Sequence, residues 1–200
     1  MSKFSQVSLF SGPNHLTDIT MDPKYAGIMG YTEDELKTYF REHIEETSQI
    51  KSEQGTFTSE EEVIDEIRTW YNGYRFSERE LSVYNPYSTL RYFNAHKAES
   101  YWYSTGPPSL LINEVHKHPQ SIVPLRGVSA LKSTLSDISS LDDIDLVALM
   151  YQTGYLTIRG YHPKTNAYDL DLPNKEVKEA FFYSLLKAFA KIDPLQRSIL

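Results

Sequence analysis

The chain has 200 residues, with 20 Lys+Arg against 27 Asp+Glu and a formal net charge of -7. That length supports one domain or two small ones, and the acidic balance disfavours nonspecific polyanion binding, which begins with phosphate neutralisation. There is no Cys, which excludes disulfides, Cys-based zinc sites and a thiol nucleophile.

Taken in chain order, Ser5 to Phe10 has partial strand alternation and runs into the turn cluster Ser11-Gly12-Pro13-Asn14. A lone short strand cannot bury its faces, so it needs a partner from far along the chain or from a larger protein. Thr32-Glu33-Asp34-Glu35 is a capping box opening a helix through Leu36, Tyr39 and Phe40. Ser48 to Thr56 is polar and reads as a loop. Thr58 to Glu61 offers a second capping box, and the helix behind it spaces Val63, Ile64, Ile67, Trp70 and Tyr71 by three and four before Asn72-Gly73 ends it. Tyr74-Arg75-Phe76 reads as extended.

Asn85-Pro86 starts another helix, with Asn85 as cap and Pro86 in the first turn, and Leu90 and Phe93 are expected on one face. A short helix around Leu110 to Val115 and a turn-rich linker over residues 119–127 follow. Ser140 and Asp143 are expected to cap a helix whose buried stripe is Ile144, Val147, Ala148 and Tyr151. Tyr155 to Ile158 and Tyr168 to Leu172 read as two strands joined by a nine-residue loop, Arg159 to Ala167. Asn174 then caps a helix carrying Val177, Phe181, Phe182, Leu185, Leu186 and Phe189. The expected fold is α+β and mostly helical: a helical bundle over residues 30–118, then a winged-helix-like unit over residues 128–200.

No apolar run approaches the roughly 18 residues of a membrane helix. Met1 to Phe10 lacks the basic region and apolar stretch of a signal peptide. A cytoplasmic location is therefore the expectation.

Chemistry is sparse. None of the 9 glycines is followed by Lys, so there is no Walker A loop, and G-x-S-x-G and H-E-x-x-H are absent too. Glu114 and His118 would share a helix face without His116, which favours a solvated helix end over a metal site. Asp142, Asp143 and Asp145 fit the start of a helix, where negative charge is stabilising. Asp169 or Asp171 with Glu176 and Lys178 spells a D…E-x-K string of the kind metal-dependent nucleases use. That chemistry wants E-x-K on a strand, whereas here it opens a helix and the two side chains would diverge. Arg159, His162 and Lys164 in the wing loop are the candidates for phosphate contact if the unit reads nucleic acid. The helix before the wing is acidic at its start and otherwise apolar, unlike a helix that reads base edges. Tyr101-Trp102-Tyr103 invites a stacking reading, but stacking platforms come with a basic groove.

Longer strings carry a resemblance. Phe10-Ser11-Gly12-Pro13-Asn14, Leu16 to Thr20 and Gly30 to Leu36 come first. Trp70-Tyr71-Asn72-Gly73-Tyr74-Arg75-Phe76, Tyr84 to Ser88, Tyr101-Trp102, Ser104 to Gly106, Leu149 to Ile158 and Leu172 to Val177 follow in order. Together they resemble the bacterial AAA-ATPase-like family across nearly the whole chain. The resemblance implies a P-loop ATPase core upstream, a helical lid-like region, a winged-helix-like segment and, in many members, a D…(D/E)-x-K nuclease-like domain downstream. Residues 1–29 would then be a remnant of the core's last strand and turn, with Ser5, Gln6 or Ser8 near the polar sensor position of the intact protein. Arg68, Arg75 and Arg91 are the weaker candidates for a lid or in-trans contact to nucleotide. ATP and Mg²⁺ are implied for the intact protein only, because phosphoryl transfer needs a cradled triphosphate and metal that this stretch does not supply. The role expected of the chain is a non-catalytic lid and docking portion, with a nucleic-acid-binding winged helix as the alternative and a metal-dependent nuclease behind it.

Overall fold

The computed structural model describes residues 19–55, 59–102, 112, 127–136 and 145–190, with side chains to residue 186. Ser5, Gln6 and Ser8, the short helix near Leu110, the Glu114 to His118 group and the linker lie outside them.

A 3-10 turn, Pro23–Tyr25, leads to α1, Glu33–Tyr39. Thr32 caps α1 as the sequence predicts: its hydroxyl accepts from the Glu35 amide, and the Glu35 carboxylate takes the Thr32 amide at 2.8 Å. Phe40 closes α1 and at once begins α2, Arg41–Glu53. This helix corrects the expected loop from Ser48. Its buried face is Ile44, Thr47, Ser48 and Lys51, spaced three and four but mostly polar, so apolar periodicity does not reveal it. Two of the polar members have named partners. The Thr47 hydroxyl is 2.9 Å from His96 Nδ1, and Lys51 pairs with Glu66 at 2.9 Å.

Helix α3 spans Glu60–Tyr71. Its capping box is Ser59 with Glu62, one residue later than Thr58 with Glu61. Val63, Ile64, Ile67 and Tyr71 form the expected buried stripe. Helix α4, Pro86–Ala95, starts with the Asn85 side chain accepting from the Ser88 amide. Its buried face is Ser88, Thr89, Tyr92 and Phe93, while Leu90 is 49% exposed, so Leu90 and Phe93 do not share a buried face. The core of this bundle is aromatic: Tyr71, Tyr84 and Tyr92 are fully buried among Leu36, Val63 and Ile67, with Tyr71 edge-on to Tyr92 at 6.0 Å. Phenol rings suit a core where each hydroxyl finds an acceptor. Tyr71 bonds the Glu99 carbonyl and Tyr92 the Glu66 carboxylate.

The second unit begins with β1, Val128–Leu131, and α5, Lys132–Ser136. Then come α6, Leu146–Gln152, β2, Thr157–His162, β3, Ala167–Asp171, and α7, Lys175–Ala190. The sheet order is β1-β3-β2, antiparallel throughout. Two helices between the first strand and a closing hairpin make a winged-helix-like unit, so the chain is a mostly helical α+β fold with a bundle followed by this unit. Asp145 caps α6 by accepting from the Ala148 amide at 2.9 Å. The helix thus starts later than the Ser140 and Asp143 expectation, and Ser140, Asp142, Asp143 and Ile144 lie outside the described residues. The hairpin turn is residues 163–166, shorter than the nine-residue loop, because both strands extend into it. On α7, Val177, Ala180 and Phe181 are buried, whereas Phe182 is 47% and Leu186 48% exposed.

The two units share a junction. Tyr74 bridges Val83, and Arg75 lies along β2. Its amide donates to the Thr157 hydroxyl at 2.7 Å, and its carbonyl takes the Thr157 hydroxyl and the Ile158 amide. Helix α7 packs on α3, and the Lys175 ammonium sits 4.4 Å from the Trp70 ring centroid. Among the described residues no helix is long and apolar enough to cross a membrane.

Candidate functional site: wing and junction

At the wing, Arg159 and His162 stand on β2 and only Lys164 is in the turn. A register shift between Ile158 and Gly160 makes Arg159 the bulged residue. Bulges re-aim side chains, and here the guanidinium donates to the carbonyls of Leu172 and Pro173, both at 2.8 Å. His162 Nε2 lies 2.6 Å from Asp169 Oδ2, and Asp169 Oδ1 accepts from the Ser129 hydroxyl at 2.5 Å. The Ser129 hydrogen bond and then His162 hold the Asp169 carboxyl below its ordinary range. Lys164 is exposed and makes no ion pair among the described residues. At the wing Lys164 thus stands open, while the exposed Arg159 and His162 side chains are tied to carbonyls and to Asp169.

The residues of the D…E-x-K string do not converge. Asp169 serves Ser129 and His162, and Asp171 accepts the Leu172 amide. Glu176 is buried and Lys178 exposed on the same helix. Among the described residues no group of three or more His, Asp or Glu is placed to hold a metal ion.

The arginines considered for nucleotide are engaged within the chain. Arg68 on α3 pairs with Glu33 of α1 at 2.5 Å and also with Asp65, while the Tyr84 hydroxyl donates to the same Glu33 carboxylate. Arg75 donates to the carbonyls of Ser77, Glu78 and Arg159. Arg91 lies over the Tyr101 ring at 5.7 Å. Two of the three guanidiniums are thus satisfied by neighbours in the chain, and the sequence lacks a phosphate-binding loop. The described residues do not fit a nucleotide or its Mg²⁺.

The Arg68 network has a pH signature. Burial raises the proton affinity of Glu33, but Arg68, Tyr84 and Lys37 together outweigh it and bring its pKa down to about 2 from an ordinary 4.5. The unfolded chain then takes the proton more readily than the folded one. The stabilisation is complete above about pH 4.5 and is lost as pH falls toward 2. Glu33 keeps a third of its side-chain exposure, so solvent screening limits the effect to about 1–2 kcal/mol. Urea unfolding of Glu33→Gln should show a flatter loss between those pH values than the parent chain.

The junction holds the most unusual carboxyl. Glu176, in the first turn of α7, has no solvent exposure. Its Oε1 accepts from the Ser88 hydroxyl of α4 and the Trp102 amide, both at 2.8 Å. Its Oε2 is buried without a hydrogen-bond partner. Burial, opposed by the Trp102 amide and Ser88, pushes the carboxyl up to about 7. Sequence reading placed Glu176 only as a helix opener or a nuclease ligand. No local signal reveals the burial, because its partners lie 74 and 88 residues upstream.

Among known proteins, no protein-family model and no solved structure matches the chain. The chain is similar to an uncharacterized protein encoded in the vnfD 5′ region of Azotobacter chroococcum mcd 1, with 36% identity over 191 residues. That match covers 93% of this chain and 33% of the relative, so the chain spans about a third of the relative's length.

Proposed function

We propose that the chain is a non-catalytic, winged-helix-like docking module of a longer polypeptide, and that the occupant of its exposed apolar surface is another segment of that polypeptide. The observation that carries this reading is an aromatic patch on the bundle. Tyr31 meets Phe40 edge-on at 5.0 Å, and Phe40 stacks on Phe93 at 5.4 Å. In the segments that carry these rings Met29, Tyr39 and Leu90 are 64%, 75% and 49% exposed. Apolar side chains left open in neighbouring segments support an interaction surface there. The length of the Azotobacter relative supports a covalently linked occupant. By resemblance to the AAA-ATPase-like family, the neighbours would be an ATPase core upstream and a nuclease-like domain downstream, with ATP chemistry confined to the former. Amide exchange over residues 28–40 and 87–93 should be slower in a full-length polypeptide than in the 200-residue chain; equal exchange would end the docking reading.

The strand and helix order favours a second reading, nucleic-acid binding through the wing. Lys164 at the turn, with Arg159 and His162 behind it, would be the contact. Labelled duplex and single-stranded DNA, titrated at two salt concentrations, separates the readings. No binding at low salt is the expected result, because Arg159 and His162 are committed to Leu172, Pro173 and Asp169. Micromolar binding that weakens steeply with salt would replace docking with nucleic-acid recognition.

A further inference from the structure

The contact at Glu176 does something that neither docking nor nucleic-acid binding requires. Helix α7 belongs to the winged unit, Ser88 to α4 of the bundle and Trp102 to the segment that follows α4, its ring packed on Tyr155. Glu176 joins them through a single carboxylate oxygen, which accepts from both at 2.8 Å. Its backbone carbonyl also takes the Ser100 hydroxyl at 3.4 Å. The other carboxylate oxygen has no hydrogen-bond partner and no solvent. An ionised carboxylate needs acceptors satisfied on both oxygens, and an unmet one in the interior is costly.

We propose that Glu176 is a protonation-controlled latch: carrying a proton on its open oxygen, it holds the winged unit against the helical bundle, and losing that proton loosens the junction. This device is independent of what the module docks with.

The surroundings offer the charged form little support. From α3, Tyr71 faces the carboxylate, from the segment after α3, Tyr74, and from the loop after α4, Tyr101. Each phenol is pushed up, by burial first and with the carboxylate adding to it. From α4 it meets Ser88, and from the loop the Trp102 and Tyr101 amides. Next to Glu176 on α7, Lys175 turns away to the Trp70 ring, and Lys178 and Glu179 are exposed. Glu66 of α3 is committed to Lys51 and the Tyr92 hydroxyl. The group therefore titrates at about 7 instead of 4.5. Because the closed junction holds the proton more tightly than an open chain does, its advantage is complete below about pH 4.5 and is lost as pH rises through about 7.

Amide exchange over residues 99–102 and 174–178, corrected for the intrinsic pH dependence of exchange, tests this. In the parent chain protection should fall by about tenfold or more between about pH 5.5 and pH 8.5 and level off above about pH 7. Glu176→Gln, which mimics the protonated form, should stay protected across that range. Ser88→Ala removes a hydrogen bond that favours the charged form, so its profile should level off at a higher pH. A parent profile already level at about pH 5.5, parallel pH profiles for the parent and Glu176→Gln, or an unmoved levelling point in Ser88→Ala would overturn the latch. A Glu176→Gln chain that fails to fold would count against it too, because the neutral side chain is the one the proposal says closes the junction.

Discussion

Gly73→Ala is expected to be among the most damaging single methyl additions in the chain. Gly73 follows the end of α3 with φ at 108°, a conformation that L side chains rarely adopt. A Cβ there would stand 2.1 Å from the Pro173 carbonyl oxygen, a backbone atom at the start of α7. Flexible side chains can move aside, but here either the α3 exit or the α7 start must shift. Pro173 also accepts from Arg159, so the shift would reach β2. Strain at positive φ costs about 1–3 kcal/mol and a forced backbone displacement about as much again, so the expected loss is about 2–6 kcal/mol. Gly55→Ala is the internal control. Gly55 also has positive φ, at 71°, but nothing lies within 4 Å of its would-be Cβ. It should lose only about 1 kcal/mol. Urea midpoints of the two variants, measured side by side, separate close approach from backbone strain. Equal losses would mean that the α3–α7 contact at Pro173 does not constrain the junction.

The same position shows why some of this fold is legible in the sequence and some is not. Asn72-Gly73 reads as a helix stop from local chemistry alone, and the structure puts one there. Asn85-Pro86, Asn174 and the Thr32 capping box are equally local, and each begins a helix where expected. The apolar stripe of α3 follows from spacing. Helix α2 does not, because its buried positions Thr47, Ser48 and Lys51 are polar and become core residues only when His96 and Glu66 meet them. Strand β1, four residues long, is defined by its pairing to β3 and carries little signal of its own. At the wing, the residue types were visible, but the bulge that turns Arg159 toward Leu172 and Pro173 is a property of strand pairing. The burial of Glu176 depends on residues from the far side of the junction.

A common physical pattern runs through these misses. In this chain charged and hydroxylic side chains act as internal fasteners between elements. Arg68 ties α3 to α1, Arg75 ties the α3–α4 connection to β2, and Glu176 ties α7 to α4. A sequence reading sees each as a surface charge, since that is where such residues usually lie. The ties engage two of the guanidiniums that a phosphate would need, Arg68 and Arg75. On the bundle Met29, Tyr39 and Leu90 stay outward among the charged side chains, and the docking proposal rests on them.

Lys51 and Glu66 give that pattern its sharpest energetic test. The ammonium keeps 6% of its side-chain exposure and the carboxylate 19%, at 2.9 Å. The Tyr92 hydroxyl donates to the same Glu66 oxygen at 2.6 Å, and the Lys51 ammonium lies 5.5 Å from the Tyr92 ring centroid. Three helices, α2, α3 and α4, thus meet at one buried polar knot. Glu66→Leu removes the paired carboxylate from a nearly fully buried ammonium and an acceptor from Tyr92, so it should cost about 3–5 kcal/mol. Lys51→Met should cost much less, about 1 kcal/mol, because the thioether chain refills the stem's volume and Glu66 keeps both Tyr92 and some solvent. The double variant, Lys51→Met with Glu66→Leu, should recover most of the Glu66→Leu loss, since a buried ion pair replaced by apolar side chains of similar size is often neutral. The double-mutant cycle over these variants in urea should then give a coupling of about 3 kcal/mol. Additive single losses would mean that the pair is not coupled and that α2 is held by Ile44 and the Thr47–His96 contact. A recovered double variant would show that the knot adds little net stability.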